Sequence, residues 1–243
     1  MIFKGGKGRK EILSDSRFIH CKDFWARTAE GLIVEDGLKG PLIDMSSIYQ
    51  IGGQPGHRPE ELVFVMKSLI AKYMKNRKML ILKLFDIYIF FDKETIEDAI
   101  LTCKKRGADP KAVRLWYKLN QHTKIRVKTG SGISNFTEVG AVLGQGTLGG
   151  ALISQAVLDE GVMAHFPPGG PLQLEYGSVP MAPVMFQDDL ANCSDSLENA
   201  KESNRRVDVL TKQLCLDLNR DKTEYILIGS KKQKEETRRQ LKN

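Results

Sequence analysis

Cysteine is scarce. Cys21, Cys103, Cys193 and Cys215 stand far apart, with no C-x-x-C pair among them. That spacing argues against a zinc knuckle or a disulfide framework and fits a reducing intracellular compartment, nucleus or cytoplasm. Histidine is equally sparse: His20, His57, His122 and His165 are scattered and read as surface or locally bonded groups. Long apolar runs are missing too. The longest, residues 79–91, is broken by Lys83 and Asp86 and falls short of the roughly 18 residues of a membrane span, so no membrane partner is expected. The N-terminus is basic and glycine-rich without a signal-peptide pattern, and no internal repeat is present.

What is present suits a globular protein. The 243 residues allow one large domain or two small ones, and 41% hydrophobic with 28% charged residues can build a real core. The net charge of +7 points mildly to a polyanionic partner. Much of it sits at the C-terminus, where Lys231, Lys232, Lys234, Arg238, Arg239 and Lys242 face only Glu235 and Glu236. Such a run also fits a solvated helix face.

Residues 1–78 are polar, Gly-rich and only intermittently helical. A short helix is predicted over 24–34, then a Gly/Pro loop over 51–59. A helix over 60–73 follows, with Leu62, Val63, Met66, Leu69, Ile70 and Tyr73 on one face. The texture changes over 79–91, where β-branched, aromatic and aliphatic residues predict a strand buried on both faces in its first half, with Asp86 inside it. Residues 92–105 read as a helix ended by Gly107, and Pro110 opens the next. Residues 122–128 alternate as a half-exposed strand, and 136–142 can pair back. Gly144-Gln145-Gly146-Thr147-Leu148-Gly149-Gly150 reads as a helix entry that another group approaches closely. A helix capped by Ser194 and Asp195, with Glu198 in the capping box, carries an apolar stripe through Leu214 and Leu218. Asn219 ends it, and a strand over 224–229 follows. This order suits an α+β domain with helices on one face of a mostly antiparallel sheet.

Phe186-Gln187-Asp188-Asp189 lies between short apolar segments and reads as a hairpin with acids at its tip. Adjacent carboxylates repel unless a cation sits between them, although Asp is also a common turn residue. Asp86 supplies a third acid, because a buried strand does not hold a lone carboxylate without a partner. If its strand lies beside the hairpin, the three could hold two Mg²⁺ ions about 3.5–4 Å apart.

These segments resemble reverse transcriptases, and among them those of non-LTR (LINE-like) retrotransposons. Phe85-Asp86-Ile87-Tyr88-Ile89-Phe90-Phe91-Asp92 resembles the first catalytic motif, and Gly144-Gln145-Gly146-Thr147 is similar to the P-Q-G-[ST] motif. Phe186-Gln187-Asp188-Asp189 resembles [FY]-x-D-D. Residues 218–223, with Lys222-Thr223 ahead of Tyr225-Ile226-Leu227-Ile228-Gly229, resemble the motif that follows it. Lys4-Gly5-Gly6-Lys7, Leu13-Ser14-Asp15-Ser16-Arg17 and the Gln50–Arg58 segment are looser matches to the family's fingers. Phe18 and Gly144 stand where the family usually has proline.

The resemblance implies a polymerase palm with a ferredoxin-like core over 79–230, carrying a fingers-like insertion at about 107–143. A fingers region is implied over 1–78 and a basic tail over 231–243, the thumb being absent. It implies that Asp86, Asp188 and Asp189 bind two Mg²⁺ ions, for which Mn²⁺ can substitute, with the third acid touching metal only transiently. Phe91 would be the steric gate against a 2′-hydroxyl; its other reading is a core aromatic. Gln145 and Gly146 would line the nucleotide and template position, and Arg17 would reach the triphosphate, as Lys83 would if its side of the strand allows. Lys222 would protonate or neutralise the pyrophosphate. The implied partners are an RNA template, a DNA primer, dNTPs and the remainder of a retroelement polyprotein. Rival readings are an inactive or domesticated fragment that binds nucleic acid or protein without polymerising, a viral RNA-dependent RNA polymerase, and an unrelated metal-dependent phosphotransferase.

Overall fold

The computed structural model describes residues 2–3, 16–17, 21–88, 90–129, 132–138, 143, 147–172, 174–176, 179–181 and 183–242. In chain order, β1 (Ile2–Phe3) pairs with β2 (Ser16–Arg17), and α1 (Phe24–Ile33) runs through a π-helical turn, Val34–Leu38, into α2 (Lys39–Asp44). Next come α3 (Pro59–Lys75), β3 (Leu80–Phe85), β4 (Ile87–Tyr88), α4 (Phe90–Lys93), α5 (Ile96–Lys105) and α6 (Pro110–Asn120). Two small hairpin pairs follow, β5 (Lys124–Ile125) with β8 (Thr137–Glu138) and, inside it, β6 (Lys128–Thr129) with β7 (Gly132–Ile133). The long helix α7 (Leu148–His165) precedes the hairpin of β9 (Leu174–Tyr176) and β10 (Val179–Met181), then β11 (Val184–Phe186) and β12 (Asp189–Ser194). The chain ends with α8 (Leu197–Gln213), β13 (Asp217–Leu218), β14 (Glu224–Ile228) and α9 (Lys231–Lys242).

The chain forms two compact units, residues 1–45 with 91–154, and residues 46–90 with 155–243. The boundaries expected at 78/79 and 230/231 fall inside the second unit, and the insertion expected at about 107–143 lies inside the first.

The first unit is helical around Leu38, Leu42, Ile96, Ala99, Cys103, Val113 and Trp116, all buried. Side chains cap its helices: Asp23 accepts from Ala26 N, Thr95 from Asp98 N, and Asp109 from Lys111 N ahead of Pro110. At Gly37 a Cβ would stand 2.3 Å from that of Ala112, so only glycine admits α6 this close to the π-helical turn. Two of the unit's buried charges find partners. Glu30 pairs with Lys22 at 2.9 Å, and Arg106 donates to Leu42 O at 2.8 Å.

The second unit is built on a four-stranded, fully antiparallel sheet in the order β11-β12-β3-β14. Alternation sends Ile81, Lys83 and Phe85 to one face and Leu82, Leu84 and Asp86 to the other. α8 covers the first face, with Leu197 and Ala200 packed on Ile81. Lys83 belongs to this covered face: it donates to Asn204 at 2.7 Å and lies over the rings of Phe85 and Tyr225 at 4.2 and 4.7 Å. α7 rests on α8 at Gly161, where a Cβ would meet Leu210 at 2.5 Å.

Two predicted elements are corrected. The strand predicted over 79–91 stops at Phe85, resumes for Ile87–Tyr88 on a different partner, and gives way to helix at Phe90. The helix predicted to run past Leu214 ends at Gln213. Cys215 takes a left-handed φ of 54°, which turns the chain back, and Leu218 joins β13. That helix is capped one residue later than predicted, by Ser196 accepting from Asn199 N. His57, His122 and His165 bond Glu61, Glu138 and Gln213 at the surface. Among the described residues no helix is long and apolar enough to cross a membrane.

Candidate active site

Asp86 sits between two ladders. Before it, β3 pairs with β12; after it, β4 pairs with β13. The β12 register matches Leu190 with Phe85. Asp86 and Asp189 each adjoin this last matched pair, so the two acids stand at the same end of the ladder. Both residues follow the alternation to the sheet face that α8 does not cover. Asp189 also closes the hairpin by pairing with Phe186.

The second ladder brings in Lys222. Asp217 pairs with Tyr88 and Leu218 with Ile87, and Asn219 N then donates to Asp86 O at 2.8 Å. Lys222 N and Thr223 N both donate to Asn219 O, forming the turn from which the lysine side chain projects. Its Nζ lies 3.8 Å from Asp86 Oδ2, within ion-pair reach but longer than a direct hydrogen bond. The lysine is 69% exposed, so the pair contributes little to stability. Its interest is its place on the rim of an open cleft of about 350 Å³, lined by Leu84, Phe85, Asp86, Asp189, Asp221, Lys222 and Glu224.

The electrostatics follow from this placement. Asp189 holds its proton more tightly than an ordinary aspartate, first because part of the carboxyl is desolvated and second because Asp86 repels its charge; Lys222 opposes both. Replacing Lys222 with methionine is therefore expected to raise the Asp189 pKa further. Carboxyl-carbon NMR titration reads this, and an unchanged Asp189 midpoint would refute the coupling.

Asp188 stands at the hairpin tip, half-buried, and is not among the residues lining the cleft. Gln145 and Gly146 lie outside the described residues, as do the side chains of Phe91 and Arg17. Lys83 is on the opposite face from Asp86 and is held there by Asn204. Asp221 and Glu224 line the cleft although sequence reasoning singled out neither. The signal was available: Asp221 precedes Lys222, and Glu224 shares a strand face with Ile226.

The donor set suits a hard divalent cation only in part. Mg²⁺ is usually held by one or two carboxylates plus water and substrate phosphates, and Asp86 with Asp189 provides such a pair. The repulsion between the two is the kind a cation relieves. Among the described residues no group of three or more His, Cys, Asp or Glu is gathered closely enough to hold one ion without further donors.

No family model matches the sequence, and no curated protein matches it. Solved structures do match. The apo telomerase from Candida tropicalis truncated from its C-terminal domain superposes with a TM-score of 0.54 at 12% identity, covering 86% of this chain and 44% of that one. Telomerase from Candida albicans, solved in complex with the TWJ fragment of telomeric RNA, gives 0.55 at 9% identity, covering 83% and 33%. The corresponding Candida tropicalis complex gives 0.56 at 12%, covering 84% and 32%. The chain spans less than half the length of each. The likeness shows the fold: mixed α/β, telomerase-like and so reverse-transcriptase-like.

Proposed function

We propose that the chain carries the nucleotidyl-transfer site of an RNA-directed DNA polymerase of the non-LTR retrotransposon kind. The observation that carries this reading is the cleft that gathers Asp86, Asp189 and Lys222 at the end of the β3–β12 ladder, in an antiparallel sheet of a telomerase-like fold. In this reading the second unit acts as palm, and Asp86, Asp189 and Asp188 hold two Mg²⁺ or Mn²⁺ ions. When bound, such ions activate a primer 3′-hydroxyl and stabilise the leaving phosphate oxygen.

The chain's own groups do the rest. Lys222 favours the ionised form of Asp189 and offers positive charge to the departing pyrophosphate. Leu84, on the uncovered face of the sheet, supplies apolar lining to the cleft. Phe91 is assigned as the sugar gate, Gln145 and Gly146 as nucleotide and template contacts, and Arg17 as a triphosphate donor, all on motif position. An RNA template is supported by the neighbours solved with telomeric RNA fragments. The DNA primer, the dNTPs and the remaining polyprotein follow from the reaction assigned.

The test is primer extension by the purified chain on an RNA template with dNTPs and Mg²⁺. Template-dictated product is expected, and the Asp188→Ala, Asp189→Ala double variant should abolish it. Product unaffected by that change would sink the assigned site. A second reading, an inactive or domesticated fragment that binds nucleic acid without polymerising, is favoured by Asp188 standing outside the residues that line the cleft. RNA retention with no extension would select it.

A further inference from the structure

The turn bearing the acid pair has a conformation it would not choose alone. Gln187 has φ of +59°, a left-handed value that a residue with a side chain holds only where its surroundings fix it. What surrounds it is the segment 49–53. Met185 N donates to Tyr49 O at 2.8 Å and Ile51 N donates to Met185 O at 3.0 Å, so this segment runs along the β11 edge beside the turn. Between those bonds the Gln50 side chain, 2% exposed, reaches the turn itself. Its Oε1 accepts from Gly52 N at 3.1 Å and from Gln187 N at 3.3 Å, and its Nε2 donates to Gln187 O at 3.4 Å.

One carboxamide therefore engages both backbone groups of Gln187. An acceptor and a donor on the same planar group suit this, which a hydroxyl or an ammonium does not match. The two glycines that follow let the segment fit. At Gly52 a Cβ would stand 2.2 Å from Gln187 N, and at Gly53, φ +68°, a Cβ would stand 2.4 Å from Gln155 Oε1 on α7. The segment is wedged between the acid turn and a buried glutamine, with room for hydrogen only.

We propose that Gln50 is a positioning residue for the acid turn, fixing the backbone of Gln187 so that the following Asp188 and Asp189 are presented at the register that meets Asp86. Its effect on turnover rests on the polymerase reading above; the clamp on the turn does not.

The test compares wild type with Gln50→Leu, Gln50→Glu and Gly52→Ala in the full chain. Amide hydrogen exchange at Gln187 is measured alongside primer extension. In Gln50→Leu, Gln187 exchange should accelerate by about 10-fold or more as the turn opens locally. kcat should fall about 10²-fold, as for a misplaced reacting group, with KM for dNTP unchanged. A buried glutamate is driven toward its neutral form, which again offers an acceptor and a donor. Gln50→Glu should therefore rescue both exchange protection and kcat more fully at pH 6 than at pH 8, a profile that mere loss of packing does not produce. Gly52→Ala should reproduce the leucine phenotype and carries the test if Gln50→Leu does not fold. Unchanged Gln187 protection in both Gln50→Leu and Gly52→Ala overturns the proposal, and so does lost protection with kcat intact. A wild-type chain without template-directed synthesis overturns the polymerase reading alone, leaving the clamp to be judged on exchange at Gln187.

Discussion

Asp86→Asn and Asp189→Asn are each expected to reduce RNA-templated extension by about 10²–10³-fold or more, the scale of losing one preorganised electrostatic group at a reacting centre. Neither is expected to lower the melting temperature. The two carboxylates line one cleft, and Asp86 is one reason Asp189 holds its proton more tightly than an ordinary aspartate. Removing one charge relieves that repulsion, while the amide keeps the shape and still accepts hydrogen bonds. A site built for function at a cost in stability shows this pairing of lost activity with retained or improved folding. The measurements are extension rate and thermal midpoint on the same preparations. If both fall together, the acids are structural and the cleft is not the active site. If activity survives either substitution, the pairing of Asp86 with Asp189 does not carry the chemistry.

Much of this site was legible before any coordinates, but its geometry was not. Chemistry-bearing residue types at motif spacing singled out Asp86, Asp188, Asp189 and Lys222, of which Asp86, Asp189 and Lys222 line one cleft. Periodicity also found the helices that became α3, α5, α6 and α8, because one apolar stripe every 3.6 residues is a local signal. Strand partnership is not local. β3 lies between β12 and β14, each more than a hundred residues on, and that pairing brings Asp189, not Asp188, into the cleft with Asp86. Sequence reasoning gave Asp189 only a transient contact with metal; in the structure Asp189 lines the cleft with Asp86, and Asp188 stands at the hairpin tip. Lys83 illustrates the same limit: it is three residues from Asp86, and strand alternation sends it to the other face. Cys215 illustrates another, since Leu214 and Leu218 continue the stripe of α8 while a single left-handed residue ends the helix between them. Gln50 gave no signal for its role, because a glutamine that closes on a distant backbone looks in sequence like any polar loop residue.

Glu94 supplies the second large effect, on stability rather than turnover. It lies just past α4 in the first unit, and burial pushes its carboxyl up from an ordinary 4.5 to about 8; the Ser154 hydroxyl opposes that shift and Asp98 adds to it. The sign follows from linkage. Below pH 4.5 the acid is protonated in the folded and the unfolded chain alike, so it lends stability no pH dependence there. Between about 4.5 and 8 the unfolded chain releases the proton while the folded chain retains it, so stability falls as pH rises; above about 8 both are ionised and the fall stops. Across that window the loss is on the order of a few kcal/mol, or several degrees in melting temperature for a chain of this size. Asp189 is shifted in the same direction, so the wild-type curve alone does not isolate Glu94. Glu94→Gln does: it removes this titration and leaves the others. The difference in melting temperature, variant minus wild type, is expected to grow steadily from pH 5 to pH 8 and then level off. Parallel curves across that range would mean that Glu94 is ionised in the folded protein and is matched by a cation, which would make the buried acid of the first unit half of an ion pair and not a neutral group.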